Sequence, residues 1–82
     1  MATSRVSGRA LYGRLLGFVR PHSRIAGKAL RDVAFPKEGV VGTIVRGEEI
    51  IIPRGSDVLQ PGDDVIVFAM PEAIPEVEAL FD

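Results

Sequence analysis

The 82 residues contain no cysteine and no tryptophan, and only one histidine, His22. Without cysteine there is no disulfide framework, no thiolate metal site and no thiol nucleophile. A lone histidine cannot assemble a zinc site without ligands from other chains. No apolar run approaches the ~18–20 residues that a membrane-spanning helix needs. The opening MATSRVSGRALYGRLLGFVRPHS lacks the long apolar core of a secretory signal. It is rich in arginine and free of acid, as transit peptides are, but Gly8, Gly13 and Gly17 interrupt the amphipathic helix such a peptide requires. No GxGxxG or P-loop glycine pattern follows an apolar run, which excludes a Rossmann or Walker nucleotide site.

A chain of this length makes one domain, with about 60–65% of its unfolded surface buried and a correspondingly thin stability margin. Apolar and charged residues occur in the proportions usual for a soluble globular protein. The charge is unevenly placed. Residues 1–31 hold Arg5, Arg9, Arg14, Arg20, Arg24, Lys28 and Arg31 and no acid, whereas all eleven acids lie in 32–82 beside only three bases. Pairing of the basic third with the acidic remainder, within the chain or across a partner, explains this better than a nucleic-acid surface. Only Tyr12 and Phe18 interleave the bases, and no RNA-recognition pattern is present. No nucleic-acid partner is expected.

Residues 1–14 read as a loose tail or linker and 15–82 as the folded domain. Leu15 to Arg20 reads as a strand stopped by Pro21. Ile25, Ala29, Leu30 and Val33 recur near helical spacing, which predicts a short helix over Ala26–Val33 capped by Ser23. Gly27 opposes that helix, and close backbone approach is the simplest reason for it. Val40, Val41, Ile44 and Val45 are β-branched strand formers, Gly47-Glu48 is a hairpin turn, and Ile50–Ile52 is the return strand closed by Pro53. Three consecutive isoleucines imply cover on both faces, by the core on one and by a helix or second subunit on the other. Pro61-Gly62-Asp63 supplies a turn before a strand over Val65–Ala69. Ile74, Val77, Leu80 and Phe81 share one stripe of a terminal helix. The order strand-helix-strand-strand-strand-helix predicts a small α+β domain, a mainly antiparallel sheet with helices on one side.

Candidate chemistry is sparse. Asp63-Asp64 could be a carboxylate pair, but the two follow Pro-Gly and are expected as solvated turn acids. His22-Ser23 has no acid to orient the histidine. Arg46 and Arg54 flank the second and third strands at a spacing that could hold a phosphate or carboxylate between them. Alternatively each pairs at the surface with Glu38, Glu48, Glu49 or Asp57.

The order of several short signals resembles the TrkA C-terminal domain, also called the RCK C-terminal domain. These are Ser23, Gly27, Lys28 and Leu30, then Pro36 and Gly39, Ile44 to Gly47, Ile52 to Gly55, Pro-Gly-Asp before an apolar strand, and a helix ending Leu80-Phe81. The likeness runs from about Leu15 to Phe81. It implies a cytoplasmic regulatory domain of a potassium or other cation transport system, not an enzyme, and with no required cofactor. It implies a homodimer with Ile44, Ile50, Ile51 and Ile52 at its interface. It also implies a small-ligand site near Arg46, Gly47, Ile52, Pro53 and Arg54, cyclic di-AMP being the ligand in certain members. The implied partner is a membrane cation transporter or channel subunit at the inner face of the membrane, with a separate nucleotide-binding domain. The alternative is a purely structural dimerisation and relay module without a ligand of its own.

Overall fold

The structure is a computed structural model and describes residues 13–82. The expected tail at 1–14 lies almost wholly outside the described residues. Four strands, β1 (Gly13–Phe18), β2 (Gly39–Arg46), β3 (Glu49–Ile51) and β4 (Asp64–Ala69), form one antiparallel sheet in the order β1-β4-β2-β3. The last strand therefore lies in the middle, with β1 and β3 at the edges. A 3-10 turn at Pro71–Ala73 leads into helix α1 (Ile74–Leu80), whose first turn takes a proline without loss because its N–H would be unpaired there.

Strand alternation explains the two faces. Val65, Val67 and Ala69 of β4, Ile44 of β2, and Gly17 of β1 face inward, where Val77 and Phe81 of the C-terminal segment meet them. Val19, Ile25 and Leu59 complete the core from the loops. The opposite face carries Leu16, Phe18, Ile66, Phe68, Val40, Val45 and Ile50, and nothing among the described residues covers it. A one-residue shift in the β2–β4 pairing between Val41 and Thr43 lets Gly42 pass beneath Phe68.

The helix expected over Ala26–Val33 is absent. Residues 21–27 form turns, and only Leu30–Asp32 makes a single 3-10 turn. The backbone N–H groups of Gly27, Leu30 and Arg31 instead donate across to the carbonyls of Leu59, Asp57 and Gly55, and Leu59 N–H donates back to Lys28. Long-range pairing with the 55–59 loop outcompetes a marginal eight-residue helix. Gly27 owes its place to φ +83°, not to close approach, since no atom lies within 4 Å of a Cβ built there. Ser23 caps no helix. Its hydroxyl accepts from Arg20 N–H at 2.9 Å and donates to the Phe81 carbonyl at 2.7 Å, tying the loop after β1 to the chain's last turn.

Candidate functional site: the end of the β2–β3 hairpin

Arg46 ends β2 and faces Glu49 across the two-residue hairpin loop. Its guanidinium does not turn outward. Nε donates to Asp63 Oδ1 and Nη2 to Asp63 Oδ2, both at 2.9 Å, a bidentate fork on one carboxylate. Nη2 also reaches the Val58 carbonyl at 3.0 Å. Asp63 is fully buried and receives a further bond from Gln60 N–H at 2.9 Å. The pair thus fastens the 58–63 loop to the end of β2.

The electrostatics follow from this geometry. Burial alone pushes the Asp63 carboxyl up. The bonds from Arg46 and Gln60, with the arginine's charge, outweigh it and hold the carboxyl below its ordinary value. The Asp63 bond raises Arg46, against the opposing effect of burial.

Asp63 is therefore not a solvated turn acid. It is the partner of Arg46, in place of Glu38, Glu48, Glu49 or Asp57. Its neighbour Asp64 sits in β4 on the opposite face of the sheet, so the two carboxylates do not converge. Proximity to a proline-glycine turn concealed this partnership. A pointer was present in Gln60-Pro61-Gly62-Asp63, since a turn that returns an aspartate to the N–H three residues back leaves its other oxygen free for a cation.

The structure does not bring Arg46 and Arg54 together in a common ion-pair network. Arg54 is exposed, its N–H bonds Asp57 Oδ2 at 2.7 Å, and its side chain makes no ion pair among the described residues. Gly47 is exposed, Pro53 is half-buried, and Ile52 lies beyond β3 and is 74% exposed. The isoleucines divide sharply. Ile50 is 68% exposed on the open face, Ile51 packs partly against the core, and Ile44 is fully buried within the domain's own core. Ile44 thus has no side-chain surface to offer another subunit, because strand alternation points it into the domain's own core. The exposed residues that sequence reading missed are Leu16, Phe18, Val40 and Phe68, three strands' worth of apolar surface whose alternation was hidden in short runs.

Among the described residues no group of three or more metal-ligating side chains converges, and no helix is long and apolar enough to cross a membrane.

Comparison with known proteins places this geometry. The chain is 49% identical over 59 residues to the Trk system potassium uptake protein TrkA homolog 1 of Methanosarcina mazei, covering 72% of this chain and 13% of that protein. It is 42% identical over 60 residues to the TrkA homolog of Archaeoglobus fulgidus, covering 73% and 14%. It is 37% identical over 60 residues to TrkA of Vibrio alginolyticus, covering 72% and 13%. The chain therefore spans about one seventh of the length of these relatives. A solved structure described as "Structure of RCK domain with cda" shares the fold at a TM-score of 0.73 and 23% identity, covering 84% of this chain and 97% of that one. The family description "TrkA-C domain" matches residues 18–82, from the end of β1 through α1, and the chain belongs to the TrkA-C domain family.

Proposed function

We propose that this domain is a cytoplasmic regulatory module of a potassium transport system. It works as a homodimer and passes a small-ligand signal to a membrane transporter or channel subunit. The observation that carries the reading is the likeness over residues 18–82 to domains of potassium uptake proteins. The open sheet face supports it, because apolar surface that nothing among the described residues covers is the kind a partner buries. The domain is regulatory and not catalytic.

The ligand site in this reading lies along the exposed side of β3, with Gly47 in the turn at one end and, past the other end, Ile52, Pro53 and Arg54, which makes no ion pair among the described residues. Arg46 contributes by fixing the hairpin on Asp63 and not by gripping an anion with its whole fork. A cyclic dinucleotide matches one exposed guanidinium beside apolar residues, since phosphate meets the cation and base meets the isoleucine.

A thermal-shift series on the purified chain tests this, with cyclic di-AMP, adenine nucleotides and monovalent cations. A ligand that binds only the folded state raises the melting temperature. A shift that disappears in Arg54→Ala, whose own stability is unchanged, supports the sensor. One observation favours a second reading, the structural relay without a ligand. Nε and Nη2 of Arg46 are already committed to Asp63 and the Val58 carbonyl, which leaves only Nη1 to meet an anion. No shift with any ligand would select that reading.

A further inference from the structure

The bases of the first 31 residues find no acid inside the fold. Among the described residues the one ion pair is Arg46–Asp63, which uses none of them. Arg31 is instead set beside a second arginine in the same state, Arg54. Ala29 and Val58 form an antiparallel bridge, and Arg31 N–H donates to the Gly55 carbonyl at 3.0 Å. The Arg31 Cβ stands 3.4 Å from where a Cβ on Gly55 would lie, so the arginine borders the Arg54–Gly55 peptide. Both arginines are exposed, and neither makes an ion pair among the described residues.

The turn beside them has donors to spare. Asp57 N–H closes it on the Arg54 carbonyl at 3.0 Å, and Asp57 Oδ2 takes the Arg54 N–H at 2.7 Å. The N–H groups of Gly55 and Ser56 have no acceptor among the described residues, and both residues are exposed. Successive unspent N–H groups in a turn attract anions. Two acids are near, Asp57 in the turn and Asp32 next to Arg31, but Asp57 is half-buried while the arginines are exposed. Lys28, bonded through its carbonyl to Leu59 N–H on the same ladder, adds a third base.

We propose that Arg31, Arg54 and the N–H groups of Gly55 and Ser56 form a binding site for a phosphate group. Two guanidinium forks and two N–H groups offer more donors than the two oxygens of a carboxylate use, and the three terminal oxygens of a phosphate match them better. The site shares Arg54 with the ligand reading above and adds Arg31, which lies outside the hairpin, so it does not depend on a cyclic dinucleotide. Free phosphate and the terminal phosphate of a nucleotide present the same group to it.

Amide chemical shifts of the labelled chain test this, with inorganic phosphate titrated against chloride at equal ionic strength. The Gly55 and Ser56 amides should shift and saturate. Arg31→Gln and Arg54→Gln, both at exposed side chains, should each weaken the apparent affinity roughly tenfold, the scale of one charge-assisted hydrogen bond. Lys37→Gln, an exposed base elsewhere, should leave it unchanged. Adenosine monophosphate in a parallel series separates the sources, tighter binding than phosphate assigning a nucleotide and equal binding the free ion. Shifts that never saturate, or that persist undiminished in Arg31→Gln, overturn the site. Cyclic di-AMP distinguishes this failure from that of the ligand reading. A response to it confined to Gly47 and residues 50–53, with none to phosphate, removes the Arg31 site and leaves that reading standing.

Discussion

A methyl carbon on Gly17 would stand 2.6 Å from the ring of Phe81, closer than any unstrained contact allows. Phe81 is buried and its carbonyl is held by the Ser23 hydroxyl, so neither ring nor backbone can withdraw cheaply. Glycine at this point in β1 is what admits the chain's last turn to the core. Gly17→Ala should lower stability by about 2 kcal/mol, as overpacked core positions do. Gly42 provides the control. Its methyl would also meet a ring at 2.6 Å, but that ring is Phe68, 39% exposed on the open face and free to swing aside. Gly42→Ala should change stability by less than about 1 kcal/mol, because the relief of glycine's chain entropy offsets the small displacement. Urea midpoints for the two variants decide the matter, and equal losses would mean that Phe81 is less firmly seated than its contacts imply.

The Arg46–Asp63 pair makes acid stability depend on one carboxyl. Asp63 titrates below its ordinary value in the folded chain. Its stabilising contribution is therefore complete above the unfolded carboxyl pKa, about 3.9, and is lost as pH falls through the depressed folded value. Asp63→Asn should flatten the fall of stability as pH drops below about 4, measured as melting temperature against pH.

At neutral pH, Arg46→Ala leaves a buried carboxylate with only Gln60 N–H as a donor. Because the guanidinium side chain is about one third exposed, the expected loss is about 2 kcal/mol, below the 3–5 typical of a fully buried pair. Arg46→Lys should recover only part of it, since an ammonium cannot reproduce the two-pronged bond. Chemical denaturation of the three proteins would sort these losses, and full rescue by lysine would show that charge alone, not the fork, holds the loop.

Ser23 joins two parts of the chain 58 residues apart through a single hydroxyl. Ser23→Ala leaves Arg20 N–H and Phe81 C=O without that partner in a buried setting, at a cost of about 1–3 kcal/mol. The released turn is the C-terminal one, so amide exchange should quicken first around Leu80 and Phe81. Protection lost equally throughout the sheet would mean that the hydroxyl supports global folding and not this local closure.

Strands and terminal helix were legible because their signals are local. β-branched runs punctuated by Gly-Glu and Pro-Gly gave β2, β3 and β4 within about a residue, and the Ile74, Val77, Leu80 stripe gave α1. What was not legible depends on pairing between distant segments. Residues 26–33 carry helical spacing but find stronger bonds in the 55–59 loop, which no window on the sequence reveals. Asp63 reads as a turn acid until the fold lays Arg46 across it. Ile44 and Ile50 look alike in sequence, and only the register of β2 on β3 sends one into the core and the other to the surface. The open face is illegible for the same reason, because Leu16, Phe68 and Val40 belong to three separate runs until the sheet assembles them.

Gly27 offers the opposite test to Gly17. Its φ of +83° lies in the left-handed region, and a Cβ there meets nothing within 4 Å. A substitution therefore pays through the backbone alone. Gly27→Ala should cost about 1–2 kcal/mol, the usual penalty for a non-glycine residue in that region. Gly27→Asn should cost less than alanine despite its larger side chain, because asparagine tolerates left-handed backbone and solvent leaves room for it. At Gly17 the order reverses, since size governs there and asparagine is worse than alanine. Four melting curves measure both pairs. If asparagine proved worse than alanine at both sites, steric crowding would have to be acting at position 27, and the pairing of Gly27 N–H with the Leu59 carbonyl would be the contact to suspect.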